Sequence, residues 1–341
     1  MSHRKQRPEG SAASYVETHL APVLLVKFAD ESKNMRLRLT IAVAIVLFCT
    51  VAWAEGLRGT PVRVASIYLS PDSTSAKLAE IDRGREVVVL ETSRNWIHVE
   101  AALTEEKIIN GWMVDKGLVR ASTPNGDRIL FGEAVDSEEQ ASQRHGRRGA
   151  AQDAMRLYYR AAEYFPNSPL AGEAMYRSAD IRWQMEKSDV MSRPSAREKD
   201  AWMREGMDDE FMKEVIKKFP GTKWADLAAF HLIDNKLCGD WQGSSKCPVK
   251  EAEIYEKYAN EHPQSPAVAE ALYDAAWRQS ALIEIYKTET QSKKSEESRG
   301  KAVALAQKAA AQTVPSDWGA RSQLLLFMIE QGIPTYGNAT E

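Results

Sequence analysis

The sequence predicts a multidomain β + α protein in which a small β-barrel is followed by an α-helical solenoid. Over residues 57–121, short runs of alternating apolar and polar residues are separated by turn formers, as in half-buried strands. From residue 151 onward, a short proline phrase recurs three times between apolar stretches, a pattern typical of stacked helical hairpins. The 341 residues are enough for two domains that each bury a core.

The N-terminal region carries the pattern of a secretory signal peptide at 35–54. A basic stub at 35–38 precedes the apolar run 39–51, and Ala52-Trp53-Ala54 places small residues where signal peptidase cleaves, after Ala54. An uncleaved membrane anchor is the alternative, but the run is shorter than the roughly 20 apolar residues that cross a bilayer. Residues 1–34 have no periodic pattern and are expected to be an over-extended gene start. The mature protein is therefore expected to be periplasmic or secreted.

The charge of the mature chain disfavours nucleic acid as a partner. The full chain has a formal charge of −3; without residues 1–54, 38 basic and 44 acidic residues remain, for a charge of −6. A mildly acidic protein lacks the cationic surface that binding to phosphates requires.

Two cysteines, Cys238 and Cys247, remain after signal cleavage and bracket a loop of eight residues. In an oxidising compartment this pair indicates a structural disulfide, which would stabilise the fold by about 2–3 kcal/mol. The alternative, a redox or catalytic thiol, lacks the Cys-x-x-Cys spacing.

The β region is predicted to be a compact antiparallel barrel. Its strands are expected at four positions: 62–64, 87–90, 96–99 and 111–114. The segment 103–110 is expected to be an insert that lengthens a loop between strands.

The β region resembles the bacterial SH3 domain. The similarity rests on the turn 71–75, the run 78–81, Gly84 before a valine-rich strand, Trp96 with Val99, and Gly111-Trp112. The resemblance implies an SH3-like barrel that attaches an exported protein to cell-wall peptidoglycan or to peptides. This chain has Ser66-Ile67-Tyr68 where family members tend to carry an Asn-x-Arg pair.

Three aromatic residues are the ligand-binding candidates of this region: Tyr68, Trp96 and Trp112. As exposed rings they would form a flat apolar platform for a glycan or an extended peptide. As alternating strand residues they could instead fill the barrel, and this alternative applies most to Trp96, which shares a strand face with His98. Tyr68, in the expected recognition loop, is the favoured contact.

Residues 122–150 lose periodicity and gather turn formers and charges, so they are expected to form a linker or a poorly anchored helix start.

The repeated phrase in the second half predicts helix-turn-helix joints at Pro166, Pro220 and Pro263. A proline disfavours helical geometry in the residue before it, so the first helix ends there, and the hydroxyl residue two places later can cap the next helix. Alignment on these prolines brings residues of the same kind into register. Small residues recur eight places after the proline (Ala174, Ala228, Ala271), and large ones recur ten places after and eight before (Tyr176, Phe230, Tyr273; Tyr158, Met212, Tyr255).

This region, 151–290, resembles tetratricopeptide-type repeats, in particular the Pro-x-Ser-x-x-Ala-x-x-Ala-x-Tyr variant of outer-membrane assembly lipoproteins and of the Tol-Pal cell-division coordinator. The prolines lie 54 and 43 residues apart, against about 34 for that repeat. The extra length is expected in two insertions, at 187–208 and 238–247. Residues 291–300 are expected to be a loop, and 301–331 are expected to form helices that cap the solenoid.

No motif for catalysis, metal or cofactor binding is present in the sequence. The histidines are scattered without a His-x-x-x-His or His-Glu pattern, and neither a phosphate loop nor a dinucleotide fingerprint occurs. The expected function is that of a non-enzymatic adaptor or scaffold, binding the cell wall or a peptide through the SH3-like domain and an envelope protein through the solenoid. The alternatives are a structural subunit of an envelope assembly complex without wall affinity and, less favoured, a cell-wall hydrolase.

Overall fold

The computed structural model describes residues 58–104, 106–313 and 316–336. All of them belong to one unit of the chain, Leu57–Glu341. In the described residues a seven-stranded antiparallel sheet is followed by nine α-helices. The predicted signal peptide, the Ala54 cleavage site and the segment 1–34 lie outside the described residues.

The sheet forms the β domain and curls around a core of its own. Its strands are β1 (Arg58–Pro61), β2 (Ala65–Tyr68), β3 (Lys77–Ile81), β4 (Val87–Ser93), β5 (Trp96–Ala102), β6 (Ile108–Val114) and β7 (Leu118–Val119). Their order in space is β3-β2-β6-β5-β4-β1-β7. Ile97, Val99 and Ala101 of β5 point inward and are buried, because alternate residues of a strand face the same side.

Three details of the β domain differ from the sequence-based prediction. Tyr68, expected in a recognition loop, is the last residue of strand β2. Val62, Arg63 and Val64 are not a strand: β1 ends at Pro61 and the chain bends there before β2. The segment expected as a long loop at 103–110 is shorter, because β6 begins at Ile108, where it pairs with Ala102.

The prediction of a linker at 122–150 is wrong. Residues Gly126–Ser142 form α1, and Leu130, Ala134 and Ser137 on one of its faces are fully buried. These residues are spaced four and three apart, as on one face of a helix, but charged neighbours obscured the pattern. The β domain and the helical domain are therefore joined by a packed helix.

The remaining helices form the helical domain: α2 (Ala150–Tyr164), α3 (Ala171–Ser192), α4 (Glu210–Lys218), α5 (Lys223–His231), α6 (Lys246–Glu261), α7 (Val268–Thr288), α8 (Ser292–Ala310) and α9 (Asp317–Glu330). The three joints lie between α2 and α3, α4 and α5, and α6 and α7, where the sequence places them. Thr222 accepts a hydrogen bond from the Ala225 N–H (3.4 Å) and caps α5.

The other two joints differ slightly from the expected caps. Ser168 and Ser265 accept hydrogen bonds from the backbone N–H groups of Leu170 (3.2 Å) and Ala267 (3.1 Å), and the regular helices begin later, at Ala171 and Val268. The hydroxyls thus stabilise the turn that leads into each helix.

Close packing of the hairpins depends on the small residues that the alignment brings into register. Ala174, Ala228 and Ala271 are completely buried. Because an alanine adds little bulk, paired helices can approach closely at these positions.

The two predicted insertions contact each other. The backbone N–H of Gly239 donates to the Glu198 carbonyl (3.0 Å), and Arg204 donates to the carbonyls of Leu237 (2.7 Å) and Cys238 (3.2 Å). A Cβ atom at Gly239 would lie 2.3 Å from the Glu198 carbonyl oxygen, so the approach requires glycine.

The predicted loop at 291–300 is also wrong, because it is the first half of α8. Ser295 and Ser298 are buried on the packed face of this helix, and the Ser295 hydroxyl donates to the Ile283 carbonyl (2.9 Å). The buried face of this half of α8 carries small polar residues. The apolar periodicity by which a helix is predicted from sequence is therefore missing there.

The helical domain has two hydrophobic cores that meet at α5. The first contains Val119 of the β domain together with residues of α1–α5, and the second contains residues of α6–α9. Leu232, after α5, packs against the first core, while Leu227 and Phe230 pack against the second. Across the described ranges, none of the helices has both the length and the apolarity to cross a membrane.

The buried carboxylate of Glu251, on α6, links the second insertion (238–247) to α7 through hydrogen bonds. It is 2% exposed and accepts hydrogen bonds from the backbone N–H of Cys238 (2.9 Å), the indole N–H of Trp241 (3.1 Å) and Nε of Arg278 (2.8 Å). Arg278 is itself buried, so each charge is compensated by the other.

We expect Glu251→Ala to lower the free energy of unfolding by about 3 kcal/mol, because it leaves the buried Arg278 with less compensation and two donors without their acceptor. Urea denaturation followed by far-UV circular dichroism measures the loss. Glu253→Gln, at an exposed position of the same helix, is the control and should change stability by less than about 0.5 kcal/mol. A loss at Glu251→Ala no larger than that of the control would contradict this role.

Candidate functional site

A groove opens where the two cores of the helical domain meet, and we call it the helical groove. Its lining residues come from α3, α5, the turn after α5, α6 and the start of α7. Its volume is about 450 Å³. The lining residues are Tyr176, Asp180, Gln184, Lys187, Leu227, Phe230, His231, Asp234, Tyr255, Pro266, Ala267, Glu270 and Asp274.

The groove results from unequal helix lengths. The helix α5 has nine residues, whereas α3 has 22 and α7 has 21. Helix α5 packs closely on α3 but less closely on α7. The side chains of the two long helices therefore face each other across the gap instead of packing together.

Four carboxylates line the groove, and three of them have partners. Asp180 lies 3.2 Å from Nε2 of His231, and Asp234 accepts from Lys187 Nζ (2.7 Å) and the Trp183 indole N–H (3.1 Å). Asp274 accepts from Arg278 (3.2 Å). Among the described residues, no hydrogen bond or ion pair reaches the fourth carboxylate, Glu270.

The environment of the groove favours the neutral form of two of these acids. Burial, together with the charge of Asp274, raises the pKa of Glu270 to about 7. Burial also raises the pKa of Asp274, although Arg278 opposes the change. For Asp180, burial acts in the same direction, but the hydrogen bond and charge of His231 outweigh it and lower the pKa. An added positive charge would thus stabilise the ionised form of Glu270 more than that of the other three carboxylates.

Aromatic rings form the apolar part of the groove. Tyr176 stacks on Trp224 (ring centroids 5.5 Å apart) and its hydroxyl lies 3.2 Å from His231. Tyr255 and Phe230 lie 6.1 Å apart, centroid to centroid. Burial raises the pKa of both Tyr176 and Tyr255, so these hydroxyls stay neutral at ordinary pH.

The three aromatic candidates of the β domain lie together on the outside of its sheet, on a surface that we call the aromatic face. Trp112 lies opposite both Tyr68 and His98 in the strand pairing. Its ring stacks on His98 at 5.0 Å, and Tyr68 packs edge-on against Trp96 at 5.7 Å. These rings are half-buried and are not part of the barrel core, so the alternative that they fill the barrel does not describe the structure.

The sequence also singled out two cysteines and three joint prolines. The fold brings the two cysteines into contact with each other, whereas the three prolines lie apart at their separate joints. The sulfurs of Cys238 and Cys247 lie 2.20 Å apart, at disulfide bonding distance, with their Cα atoms 6.1 Å apart. Pro263 borders a second cavity, of about 390 Å³, between α6, α7 and α8. Pro166 and Pro220 serve as turn residues at their joints.

The carboxylates of the groove were missed by the sequence reasoning. Their signal is the spacing of polar residues along two helices: Asp180, Gln184 and Lys187 lie on one face of α3, and Glu270 and Asp274 are four residues apart on α7. Such a spacing is also typical of a solvated helix surface, so it does not by itself indicate a groove.

Within the described residues, no group of three or more His, Cys, Asp or Glu side chains could hold a metal ion.

Comparisons with known proteins assign no family to this chain. No protein-family profile and no curated protein matches it. Among solved structures, a chain of the DHF79 filament is similar to 59% of this chain and is covered over 96% of its own length, with 13% identity and a TM-score of 0.18. A similarity of this size carries no argument about the fold or the function.

The raised pKa of Glu270 predicts a pH-dependent stability. The Glu270 carboxyl group binds its proton more tightly in the folded protein than in the unfolded chain. Its contribution to the free energy of unfolding is therefore complete below about pH 4.5 and is lost as the pH rises through about 7. We therefore expect the stability of Glu270→Gln, relative to the wild type, to increase by on the order of 1 kcal/mol between pH 5 and pH 8, after allowance for solvent screening. Urea denaturation at the two pH values measures this change, with Glu253→Gln as the control. A constant difference would show that Glu270 does not titrate in this range.

Proposed function

We propose that this protein is an exported, non-enzymatic adaptor that holds a segment of a protein partner in the helical groove. The observation that carries the proposal is a groove of about 450 Å³ that combines three aromatic rings with the half-buried Glu270, which has no hydrogen-bond or ion-pair partner among the described residues. Polar groups that converge beside apolar rings can fix the orientation of a bound segment. The predicted signal peptide supports a location in the periplasm or outside the cell.

We also propose the finer fold assignments. The β domain would be a bacterial SH3-like domain, and the helical domain would be an irregular tetratricopeptide-type solenoid. The three joints, the buried alanines and the hairpin order support the second assignment. A curled antiparallel sheet around one small core supports the first.

The aromatic face would be the second binding surface of the adaptor. Tyr68, Trp96 and Trp112 are half-buried, and their rings form one continuous area across β2, β6 and β5. Rigid rings offer apolar area at a small entropic cost, which suits a glycan or an extended peptide. Peptidoglycan is the proposed ligand here, with an envelope protein as the partner in the groove.

A structural subunit without wall affinity is the second candidate function, because the β domain is firmly attached to α2. Glu86 accepts from the Tyr164 hydroxyl (3.1 Å) and lies 3.4 Å from Arg160, and Arg156 donates to the Arg83 carbonyl (3.0 Å). A β domain attached in this way could serve the helical domain as a support.

The adaptor function is tested by blocking the groove. Gln184 is exposed and lines the groove, so Gln184→Trp should fill it without disturbing a core. We expect the immobilised wild type to capture an envelope protein by cross-linking and Gln184→Trp to lose at least ten-fold of that capture. Gln307→Trp, at an exposed position on α8, is the matched control and should capture as the wild type does. Equal capture by both variants would show that the groove is not the binding site.

Wall binding separates the two candidate functions. We expect the mature protein to sediment with purified sacculi and the double variant Trp96→Ala, Trp112→Ala to lose at least ten-fold in affinity while its circular dichroism spectrum stays unchanged. Leu90→Ala, at an exposed residue of β4, is the control. A wild type that stays in the supernatant would favour the structural subunit.

A further inference from the structure

We infer that the segment held in the helical groove inserts a lysine or arginine side chain, whose cationic head meets Glu270. The inference rests on the proposed function, since it names the chemistry of the partner at the same site. The groove residues that would surround the inserted side chain are the carboxylates on α3 and α7 and the rings of Tyr176, Phe230 and Tyr255.

The cations already present near the groove are engaged by other carboxylates. Lys187 binds Asp234, His231 lies against Asp180, and Arg278 is shared by Glu251 and Asp274. Glu270 lies one helical turn from Asp274 and has no cation of its own among the described residues. His231 and Lys187 attract the Glu270 carboxylate only from beyond ion-pair distance, so an arriving cation could pair with it without displacing an existing ion pair.

The groove combines carboxylates with aromatic surface. Tyr176, Phe230 and Tyr255 present rings in the same groove as the carboxylates. A lysine or arginine side chain has an apolar stem that packs on rings and a charged head that is attracted both to ring faces and to carboxylates. The α7 side of the groove already contains an example, because the guanidinium carbon of Arg278 lies 4.4 Å from the centroid of the Tyr255 ring.

Other kinds of side chain fit the groove less well. An anionic side chain would bring its charge next to Glu270, which has no ion-pair partner among the described residues, and repulsion would disfavour it. An apolar side chain would cover Glu270 without giving it a partner, and burying an unpaired polar group is costly. A basic side chain avoids the repulsion and also gives Glu270 a partner. Charge complementarity therefore favours a basic side chain in the groove.

The groups that face Glu270 also predict how binding depends on pH. They are Tyr176, Asp180 and Lys187 on α3, His231 at the end of α5, Asp234 after it, Tyr255 on α6, and Asp274 on α7. Because the pKa of Glu270 is about 7, this carboxyl is partly protonated near neutral pH, and a bound cation favours its ionised form. Affinity for a basic segment should therefore rise between pH 6 and pH 8, with release of a proton.

The experiment uses four libraries of fluorescent nonapeptides with random flanking residues and a fixed central lysine, norleucine, glutamine or glutamate. Binding to the mature protein is measured by fluorescence anisotropy, and occupancy of the groove is followed by the NMR signal of the Trp183 indole N–H, which donates to Asp234. We expect the lysine library to bind at least ten-fold more tightly than the norleucine library and to shift the Trp183 signal.

Substitutions then assign the effect to Glu270. Glu270→Gln should weaken binding of the lysine library about ten-fold at pH 8 and less at pH 6, and it should leave binding of the norleucine library unchanged. Glu253→Gln, on the exposed side of α6, should behave as the wild type.

Each remaining outcome contradicts the inference in a recognisable way. If the norleucine or glutamate library binds as tightly as the lysine library and shifts the Trp183 signal, the groove binds peptides but does not select a basic residue; the inference then fails and the adaptor function stands. If no library binds and Gln184→Trp leaves the capture of envelope proteins unchanged, both fail. Loss of lysine binding in Glu253→Gln as well as in Glu270→Gln would also overturn the inference.

Discussion

The buried ion pair between Glu251 and Arg278 connects the inserted loop of this protein to its groove. Glu251 receives the Cys238 amide, the Trp241 indole and Arg278, and Arg278 also holds Asp274 at the groove wall. Either charge alone in this buried position would be costly, so the loop, α6 and α7 are held in one arrangement. The position of Asp274, and with it the charge around Glu270, depends on this pair.

The groove exists because two hydrophobic cores meet without merging. The short helix α5 contributes Ala228 to the first core, while Leu227 and Phe230 pack on the second. Regular repeats of equal length would bring successive hairpins into continuous contact. Here the two insertions pack on each other beside α5, and the flanking helices α3 and α7 extend past it. The irregular spacing of the joints therefore explains where the helical groove and its polar side chains lie.

Features set by neighbouring residues, such as turns and strands, could be predicted from the sequence, whereas packing between distant segments could not. Pro166, Pro220 and Pro263 mark the joints because proline acts on its immediate neighbours, and three of the seven strands, β4, β5 and β6, follow from alternation. The helix α1 was missed because charged residues separate its buried Leu130, Ala134 and Ser137, and the first half of α8 was missed because it packs through small polar residues such as Ser295. The helical groove was missed because Asp180, His231, Asp234 and Glu270 are distant in sequence and meet only when the hairpins stack.

The central claim, that the groove receives a basic segment of a partner, is tested most directly by photo-cross-linking in the native envelope. A benzophenone amino acid would replace Gln184 in the groove and, in a matched protein, the exposed Lys257 on α6. We expect cross-links at position 184, identified by mass spectrometry, to map to one short segment that contains lysine or arginine, and we expect position 257 to give none to that segment. Cross-links to segments without a basic residue, or the same products at both positions, would contradict this claim.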